Sequence, residues 1–318
     1  MDSVILKWDA TQHSKNAAGH CACGTKGIYY RRWEGKYYCA SCFARQVETR
    51  FRKTVSANKL VRKGERVAVA LSGGKDSAAL LYLLNELRKH MPFTLVAVSA
   101  DEGITGYRDA SLEKAEELTK MLGVEHHTAS FAEAFAVTTD DIEKKHCTYC
   151  GVFRRYLLNK KAHELGADKL AVGHNLDDEA QSILMNFFRG DIARFHRLGA
   201  KPASGGDGFV PRIKPLRDIP EKETALYALV RNLPFSGSEC PHSFDNLRRD
   251  VQAMVNGLEA KYPGTKMQIV SFYDRLKPSL TAARKEAIAH CAQCGEPSSG
   301  GVCKACELLG KVRSAKFL

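Results

Sequence analysis

The chain lacks any long hydrophobic run. None of its 318 residues belong to a stretch approaching the ~20 apolar residues that cross a bilayer, and residues 1–15 lack the apolar centre of a signal peptide. No residue type dominates, since 44% of the residues are apolar and 26% are charged, and this excludes fibrous and disordered classes. We therefore expect a cytosolic globular protein with no membrane partner, larger than one ordinary domain.

Acidic residues are scarce relative to basic ones. Asp and Glu number 36 against 48 Lys and Arg, which gives a formal net charge of +12. Much of the excess lies in residues 20–66. A run of this kind is often only a solvated surface, but here it adjoins a cysteine cluster, so we expect a polyanionic partner such as RNA.

The 11 cysteines fall into three groups. The outer two groups are compact, as in small metal-binding knuckles, whereas the middle three cysteines are dispersed and have to be brought together by a larger fold. In a cytosolic protein this usage indicates metal binding or thiol chemistry and argues against structural disulfides. The groups are Cys21, Cys23, Cys39 and Cys42; Cys147, Cys150 and Cys240; and Cys291, Cys294, Cys303 and Cys306.

From residue 66 onward, short apolar runs alternate with longer amphipathic ones, which predicts an α/β fold with a parallel, Rossmann-like sheet. The predicted strands cover residues 67–71, 93–100, 124–129 and 169–173. The predicted helices cover residues 79–89, 107–122, 152–164, 177–188 and 221–232, with two more between 244 and 276 that break near Pro263. Residues 199–208 read as a loop.

One glycine-rich segment stands between the first strand and its helix: Ser72, Gly73, Gly74, Lys75, Asp76 and Ser77. Paired glycines allow a tight turn and close approach to a ligand, and the free N–H groups of the following helix attract anions. The segment differs from the loop of γ-phosphate hydrolases. It resembles the PP-loop of ATP pyrophosphatases, which split ATP between the α and β phosphates; the alternative is a plain glycine turn.

A second polar segment, Gly173-His174-Asn175-Leu176-Asp177-Asp178, follows another predicted strand. Ligands of such sheets bind at the carboxyl ends of strands, so this segment is expected to face the same nucleotide. Resemblance to the G-H-N-x-D-D element of the same family implies that Gly173 contacts ATP and that Asp178 is a catalytic or Mg²⁺-related carboxylate. A helix N-cap is the alternative reading, above all for Asp177.

The middle cysteines permit several kinds of site. Cys147 and Cys150 form a C-x-x-C pair placed just before a predicted helix, whose N-terminus favours thiolates. Together with Cys240 they match a cubane iron–sulfur cluster with one iron open. A zinc site completed by His146 or His242, a redox disulfide and unrelated buried thiols are the alternatives.

The outer cysteines have the spacing of zinc knuckles. Cys291, Cys294, Cys303 and Cys306 form two C-x-x-C pairs, which predicts a structural four-thiolate zinc site. At the N-terminus Cys39 and Cys42 form a clean pair, and Cys23 is expected as the third ligand. Regular spacing makes His20 the fourth ligand, with Cys21 as the alternative. Both knuckles are expected to shape basic surfaces for RNA. The first would use Arg31, Arg32 and Lys36, and the last Lys304, Lys311, Arg313 and Lys316.

The motifs occur in one order: PP-loop, C-x-x-C-G, G-H-N-x-D-D and E-C-P, between the two knuckles. With them the chain resembles the TtuA-type family of tRNA 2-thiouridine synthetases, within the PP-loop ATP pyrophosphatase superfamily, over residues 21–306. The resemblance implies a [4Fe-4S] cluster on Cys147, Cys150 and Cys240. It also implies a catalytic basic residue at Arg154, where some members have Lys.

The function implied is tRNA 2-thiolation at uridine 34 or 54. ATP with Mg²⁺ on the loop would adenylate uridine O2, with help from Asp178 and Arg154, and sulfur would then replace that oxygen. The implied sulfur donor is a ubiquitin-like thiocarboxylate carrier or sulfide, and a homodimer is implied as well. A tRNA 2-thiocytidine synthetase and a non-catalytic zinc-finger RNA-binding subunit are the alternatives.

This interpretation divides the chain into four parts. Residues 1–60 would form the N-terminal zinc finger with a basic helix, and residues 61–240 the PP-loop catalytic domain. Residues 241–285 would be a helical extension, and residues 286–318 the C-terminal zinc finger.

Overall fold

The computed structural model describes residues 19–142, 146–201, 208–242, 247–280, 289–298 and 300–315. Residues 1–15, most of the predicted loop 199–208 and Lys316 lie outside these ranges. In chain order the elements are β1 (Tyr29–Arg31), β2 (Lys36–Tyr38), α1 (Ala40–Ala57), β3 (Arg66–Ala70), α2 (Lys75–Arg88), β4 (Thr94–Asp101), α3 (Arg108–Leu122), β5 (Glu125–Ser130), α4 (Phe131–Phe135), α5 (His146–Glu164), β6 (Lys169–Ala171), α6 (Leu176–Phe188), α7 (Ile192–His196), β7 (Arg212–Ile213), α8 (Glu221–Val230), α9 (Leu247–Lys261), α10 (Thr265–Leu276), β8 (Ala289–His290), β9 (Pro297–Ser298) and α11 (Lys304–Ala315).

Five parallel strands form the central sheet in the order β5-β4-β3-β6-β7. Successive residues of a strand face opposite sides of a sheet, and in β3 both sides are buried. Val67 and Val69 pack with α1, α2 and α8, whereas Ala68 packs with α5 on the other face. Helices therefore cover both faces, as the alternating sequence pattern predicts for a parallel sheet.

The long strands of the central sheet and the long helices around it follow the predicted elements closely. The short strands β1, β2, β8 and β9 and the helices α4, α7 and α11 were not predicted, and α2 begins at Lys75 and not at residue 79. Two further differences have a clear reason. Strand β7 was not predicted, because two residues are too short to show a period. Helix α5 begins at His146 in the described part of the chain, not near Val152. The prediction that the C-x-x-C pair precedes this helix is therefore wrong, since Cys147 and Cys150 lie in its first turns.

A buried ion pair holds the N-terminal hairpin β1–β2 against the central sheet, so the expectation that Arg31 helps to form a basic surface is wrong. The guanidinium of Arg31 donates two hydrogen bonds of 2.8 Å to the carboxylate of Glu223 on α8. Both side chains are almost fully buried, at 1% and 0% exposure. Helix α1 adds Phe43, Val47 and Phe51 to the same hydrophobic core as α2. The N-terminal module and the sheet domain thus share one core.

Helices α9 and α10 pack on α6. Val270 and Tyr273 of α10 lie in a hydrophobic cluster with Leu176 and Ile183 of α6. The ammonium of Lys266, also on α10, pairs with the buried carboxylate of Asp177. None of the helices in the described ranges is long and apolar enough to span a membrane.

The C-terminal cysteine module packs on α4 and α5. Leu308 and Val312 of α11 join a cluster with three aromatic rings, those of Phe131, Phe135 and Phe153. The Phe135 and Phe153 rings are stacked with centroids 4.5 Å apart, and Phe131 meets Phe153 edge-on at 5.7 Å. The helix that carries Cys147 and Cys150 is thus supported by the last module of the chain.

Replacing Phe153 by alanine should lower the free energy of unfolding by about 3–5 kcal/mol, because a fully buried ring is lost and leaves a cavity. Urea titration followed by circular dichroism measures the change. Phe272→Ala is the control, because that ring is 58% exposed and its loss should change stability by under about 1 kcal/mol. Equal effects of the two substitutions would contradict the packing described here.

Candidate functional site

The loop of residues 72–77 joins β3 to α2 in a conformation that requires glycine at one position. Gly73 has φ +81°, and a Cβ placed on it would lie 1.9 Å from the carbonyl oxygen of Ser111. Gly74 is the extended N-cap of α2, and its own Cβ would meet only the Ser72 hydroxyl, at 3.5 Å. The amide groups at the start of α2 are thereby held as an anion-binding turn.

The two serine hydroxyls of the loop bind the loop itself. Their oxygens lie 3.0 Å apart, and the Ser77 hydroxyl donates to the carbonyl oxygen of Gly74 at 2.9 Å. The amide of Ser72 donates to the Ser77 hydroxyl at 3.1 Å. Ser72 and Ser77 therefore shape the turn.

The charged residues of the loop contact α8. The ammonium of Lys75 lies 2.8 Å from a Glu221 oxygen and 3.0 Å from an Asp76 oxygen. Desolvation opposes the charge of Lys75, but Asp76 and Glu221 outweigh it and raise the pKa of the ammonium group. The Asp76 carboxylate also accepts hydrogen bonds from Asn175 and Thr224. A cation is thus kept beside the turn at neutral pH.

The segment 173–178 closes over the start of α2. A Cβ on Gly173 would lie 3.1 Å from the amide nitrogen of Ser77, so a larger residue would fit only if the start of α2 moved by a few tenths of an ångström. Asn175 is the N-cap of α6 and forms a capping box with Asp178. The alternative reading as a cap thus holds for Asn175 and Asp178, whereas Asp177 instead pairs with Lys266 and accepts from the amide of Glu221.

His174 has a role that sequence reasoning missed. Its ring can be reached by solvent, yet the surrounding walls of the site desolvate it, and the positive charges of Lys214, Arg248 and Arg154 add to this effect. Together they lower the pKa of His174 to about 3. The positive charges around His174 therefore describe a strongly positive site, in which the imidazole is neutral at physiological pH.

The three middle cysteines converge at the first turns of α5. The Cys147 thiol donates to the carbonyl oxygen of His242 at 3.3 Å, which brings the Cys240 loop onto this helix. Desolvation raises the pKa of Cys150 and of Cys240. Burial is the largest of these effects on the pKa of Cys150, and the nearby positive charge of Arg154 only partly compensates for it.

A single-ion site completed by histidine does not form here. Within the ranges that the structure describes, only the two outer cysteine groups bring three or more metal-binding atoms within 4.8 Å of one another. The rings of His146 and His242 instead stack on each other at 4.2 Å, and Nε2 of His242 lies 2.9 Å from the Asp140 carboxylate. All eleven cysteines are free thiols in this structure.

A buried carboxylate connects the loop with the thiols. Glu102 follows β4 and is 5% exposed, and its oxygens lie 2.9 Å from Arg108 and 3.5 Å from Arg154. Arg108 in turn donates to the carbonyl oxygen of Ser72 at 2.8 Å. Arg154 is close enough to Cys150 for the two charges to interact. Glu102 and Arg108 were not predicted, although Glu102 follows the carboxyl end of a strand, where such a residue is expected.

The N-terminal cluster contains four cysteines and no histidine. The sulfur atoms of Cys21, Cys23, Cys39 and Cys42 all lie within 4.8 Å of one another. The preference for His20 as a ligand is therefore wrong. His20 pairs with Lys26 in an extended bridge, where neighbouring side chains point in opposite directions. Cys21 consequently faces the cluster, and the His20 side chain is exposed.

The C-terminal cluster has the predicted four members: Cys291, Cys294, Cys303 and Cys306. Sulfur atoms of Cys294 and Cys303 lie 3.7 Å apart, and those of Cys23 and Cys39 in the other cluster lie 3.6 Å apart. Backbone amides of Gln293 and Cys303 point at the Cys291 sulfur. A tetrahedron with metal–sulfur bonds of about 2.3 Å has edges of about 3.8 Å, so both clusters have the dimensions of a four-thiolate zinc site.

Fold and site define an α/β protein with an anion-binding PP-loop and a thiol centre at one edge of its sheet. Residues 43–250 match the model of the PP-loop domain. The chain is 38% identical over 307 residues to a probable sulfurtransferase of Methanocaldococcus jannaschii, covering 93% of this chain and 89% of that protein. It is 38% identical over 317 residues to the tRNA 2-thiolation protein NcsA of Haloferax volcanii, covering 92% and 98%.

A solved structure agrees with these relatives. It is the U34-tRNA thiolase NcsA from Methanococcus maripaludis with its [4Fe-4S] cluster, which has a TM-score of 0.81 and 36% sequence identity, covering 93% of this chain and 97% of that one. The chain therefore belongs to the PP-loop family, in the group of the NcsA-type tRNA 2-thiolation proteins.

Gly73→Ala should disrupt the loop, because alanine is strained at φ +81° and its Cβ would overlap the Ser111 carbonyl. We expect a loss of stability of more than about 2 kcal/mol, measured as a lower midpoint of urea unfolding. Gly74→Ala is the matched control and should cost under about 1 kcal/mol, since its φ is −87° and its Cβ has space. A Gly73→Ala variant as stable as Gly74→Ala would refute this account of the loop.

Glu102→Gln should destabilise the protein by about 3 kcal/mol, because removing one partner leaves the buried guanidinium of Arg108 uncompensated. Glu116→Gln, in an exposed pair with Lys120, serves as the control and should cost between about 0 and 1 kcal/mol. Urea unfolding of both variants checks the difference. Indistinguishable midpoints would show that Glu102 does not hold the two arginines.

Proposed function

We propose that the protein is an ATP-dependent tRNA-uridine 2-sulfurtransferase that converts uridine 34 of tRNA to 2-thiouridine. The observation that supports this most is the connection from the loop to the thiols through Arg108, Glu102 and Arg154. These contacts join a turn suited to ATP with a thiol centre. Such an arrangement suits a reaction in which uridine O2 is first activated by ATP and sulfur is then delivered to C2. The relatives named for tRNA 2-thiolation, and the one named for U34, support the substrate.

ATP with Mg²⁺ is proposed to bind the loop of residues 72–77. The turn amides and Lys75 would contact the phosphates, and Gly173 would line the other side. Asp178 is the proposed catalytic or metal-related carboxylate. Its Oδ2 accepts the Asn175 amide at 3.1 Å, and Oδ1 lies 3.6 Å from Arg248. This carboxylate is therefore held in one orientation at the positive site.

Adenylation of uridine O2 turns this oxygen from a poor leaving group into a good one. Uridine O2 would attack the α phosphorus of ATP, and pyrophosphate would leave. A sulfur nucleophile would then add at C2, and AMP would depart with the original oxygen. Arg154 pairs with Glu102 near Cys150, and in this proposal it would neutralise the negative charge that develops on the transferred phosphate and on the incoming sulfur.

Cys147, Cys150 and Cys240 are the proposed ligands of a [4Fe-4S] cluster. The donor set fits, because three converging thiols without a fourth leave one iron free of protein ligands. The spread of these sulfurs beyond the dimensions of a single-ion site also fits a larger inorganic group. When bound, the cluster would supply an iron that holds the incoming sulfur. Zinc is proposed in both outer clusters, where it would be structural.

Protein reconstituted with iron and sulfide without oxygen should thiolate tRNA and release AMP and pyrophosphate, as measured by nucleoside mass spectrometry and a pyrophosphate assay. Cys240→Ser should reduce thiolation at least about 100-fold, because a cluster ligand is lost. Ser238→Ala, an exposed position in the same loop, is the control and should retain activity.

Two outcomes would contradict this proposal. Full thiolation by Cys240→Ser, or by iron-free protein, would exclude the cluster. Wild-type protein that binds tRNA but releases neither AMP nor pyrophosphate would be a non-catalytic RNA-binding subunit.

A further inference from the structure

Three arginines from three different elements meet beside the proposed catalytic site. Arg155 lies on α5 next to Arg154, Arg212 lies in β7, and Arg194 lies in α7. The guanidinium of Arg212 donates to the carbonyl oxygen of Arg155 at 3.3 Å. Arg155 is near enough to Arg154 and Arg194 for the positive charges of both to lower its pKa. We call Arg155, Arg194 and Arg212 the arginine group.

The arginine group carries little compensating negative charge. Among the described residues, neither Arg155 nor Arg212 has a carboxylate within salt-bridge distance, and Arg194 pairs only with its neighbour Asp191. Desolvation and mutual repulsion lower the pKa of Arg155 and bring that of Arg212 down to about 10. Gathering uncompensated like charges costs free energy, and a bound polyanion would recover it.

Exposed apolar side chains lie on the segment of chain that leads into Arg194. Helix α6 ends with Phe187 and Phe188, and a short turn leads to Ile192 at the start of α7, which also carries Arg194. Phe187 is 70% exposed and Ile192 is 69% exposed. The two phenylalanine rings meet edge-on with centroids 6.0 Å apart. Exposed rings among arginines are typical of surfaces that bind unpaired nucleotides, because bases stack on them.

A second copy of the chain fits this surface less well. A symmetric dimer contact places the same patch on both partners, so two positive surfaces would face each other. An RNA loop instead brings negative charge to the arginines and unstacked bases to the rings. The reaction proposed above also needs a nucleotide outside the base stack, since C2 of a stacked uridine is hard to reach.

We propose that this surface docks an unpaired loop of the tRNA. The arginine group contacts the phosphates, and Phe187 stacks on a base next to the target uridine. The inference rests on the proposed function, and it adds a particular binding surface between α5, α6 and α7. That surface differs from the basic ones expected at the two cysteine modules.

Binding of a labelled tRNA transcript to the full-length protein tests the inference. Arg155→Glu/Arg194→Glu should weaken binding at least tenfold at 100 mM salt, because two phosphate contacts become repulsive. It should also reduce the slope of log affinity against log salt by about two. Phe187→Ala should weaken binding about tenfold and leave the salt slope unchanged, because stacking releases no counterions.

Lys89→Glu/Lys120→Glu is the matched control, with the same change in charge. Both lysines are exposed and form local pairs at the ends of α2 and α3, at the opposite edge of the sheet from the proposed site. We expect less than a threefold change in binding. Thermal melting of every variant, with midpoints near that of the wild type, shows that the fold is kept.

Three outcomes would overturn the inference. The first is an equal loss of binding in the arginine and lysine pairs, which would reflect net charge alone. The second is unchanged binding by Arg155→Glu/Arg194→Glu while the wild type thiolates tRNA, which would leave the proposed function standing. The third is a Phe187→Ala variant that binds RNA normally but is a monomer by ultracentrifugation where the wild type is a dimer. This result would mean that the surface binds a second copy of the chain and not RNA. A wild type without thiolation activity would instead refute the proposed function itself.

Discussion

The pairing of one buried carboxylate with two arginines holds the site of this protein together. Glu102 extends from the carboxyl end of a central strand, and its two partners belong to different helices. One of them, Arg108, supports the backbone of the nucleotide loop, and the other, Arg154, stands beside a thiol. A charge buried this deeply is stable only while its counterions stay in place. Because Glu102 has to keep both arginines as partners, these ion pairs fix the distance between the loop and the thiols together with the packing of the helices.

The two cysteine modules attach to different halves of this framework. The N-terminal hairpin is tied by Arg31 to Glu223 on α8, and the same helix provides partners for Lys75 and Asp76 of the loop. The C-terminal module packs on the helix of the C-x-x-C pair. Each module thus supports one half of the proposed reaction, one on the side of the loop and the other on the side of the thiols.

Most of the fold could be predicted from the sequence, because a parallel sheet covered on both faces leaves long apolar and amphipathic periods. The loop could be predicted equally well, since Gly73 is required by its own positive φ and by the close approach of Ser111. The prediction of His20 as a ligand was wrong because it considered only the spacing of the residues along the chain. The direction in which the His20 side chain points depends on the bridge with Lys26, which the spacing does not show. The position of Glu102 after a strand was a usable signal, but its pairing with Arg154 and the contact of Arg212 with Arg155 join residues distant in sequence, which meet only after the sheet has formed.

The order in which the chain is made has a consequence for the thiol centre. The aromatic cluster under α5 is completed by α11, which follows nearly half the chain later. While the chain leaves the ribosome, the rings of Phe131, Phe135 and Phe153 have no C-terminal module to cover them, and exposed apolar surface of this kind favours aggregation. The helix that bears the C-x-x-C pair gains its full support only once α11 has been made and has folded onto it. The stability of the thiol centre thus depends on a segment that lies far from it in the sequence.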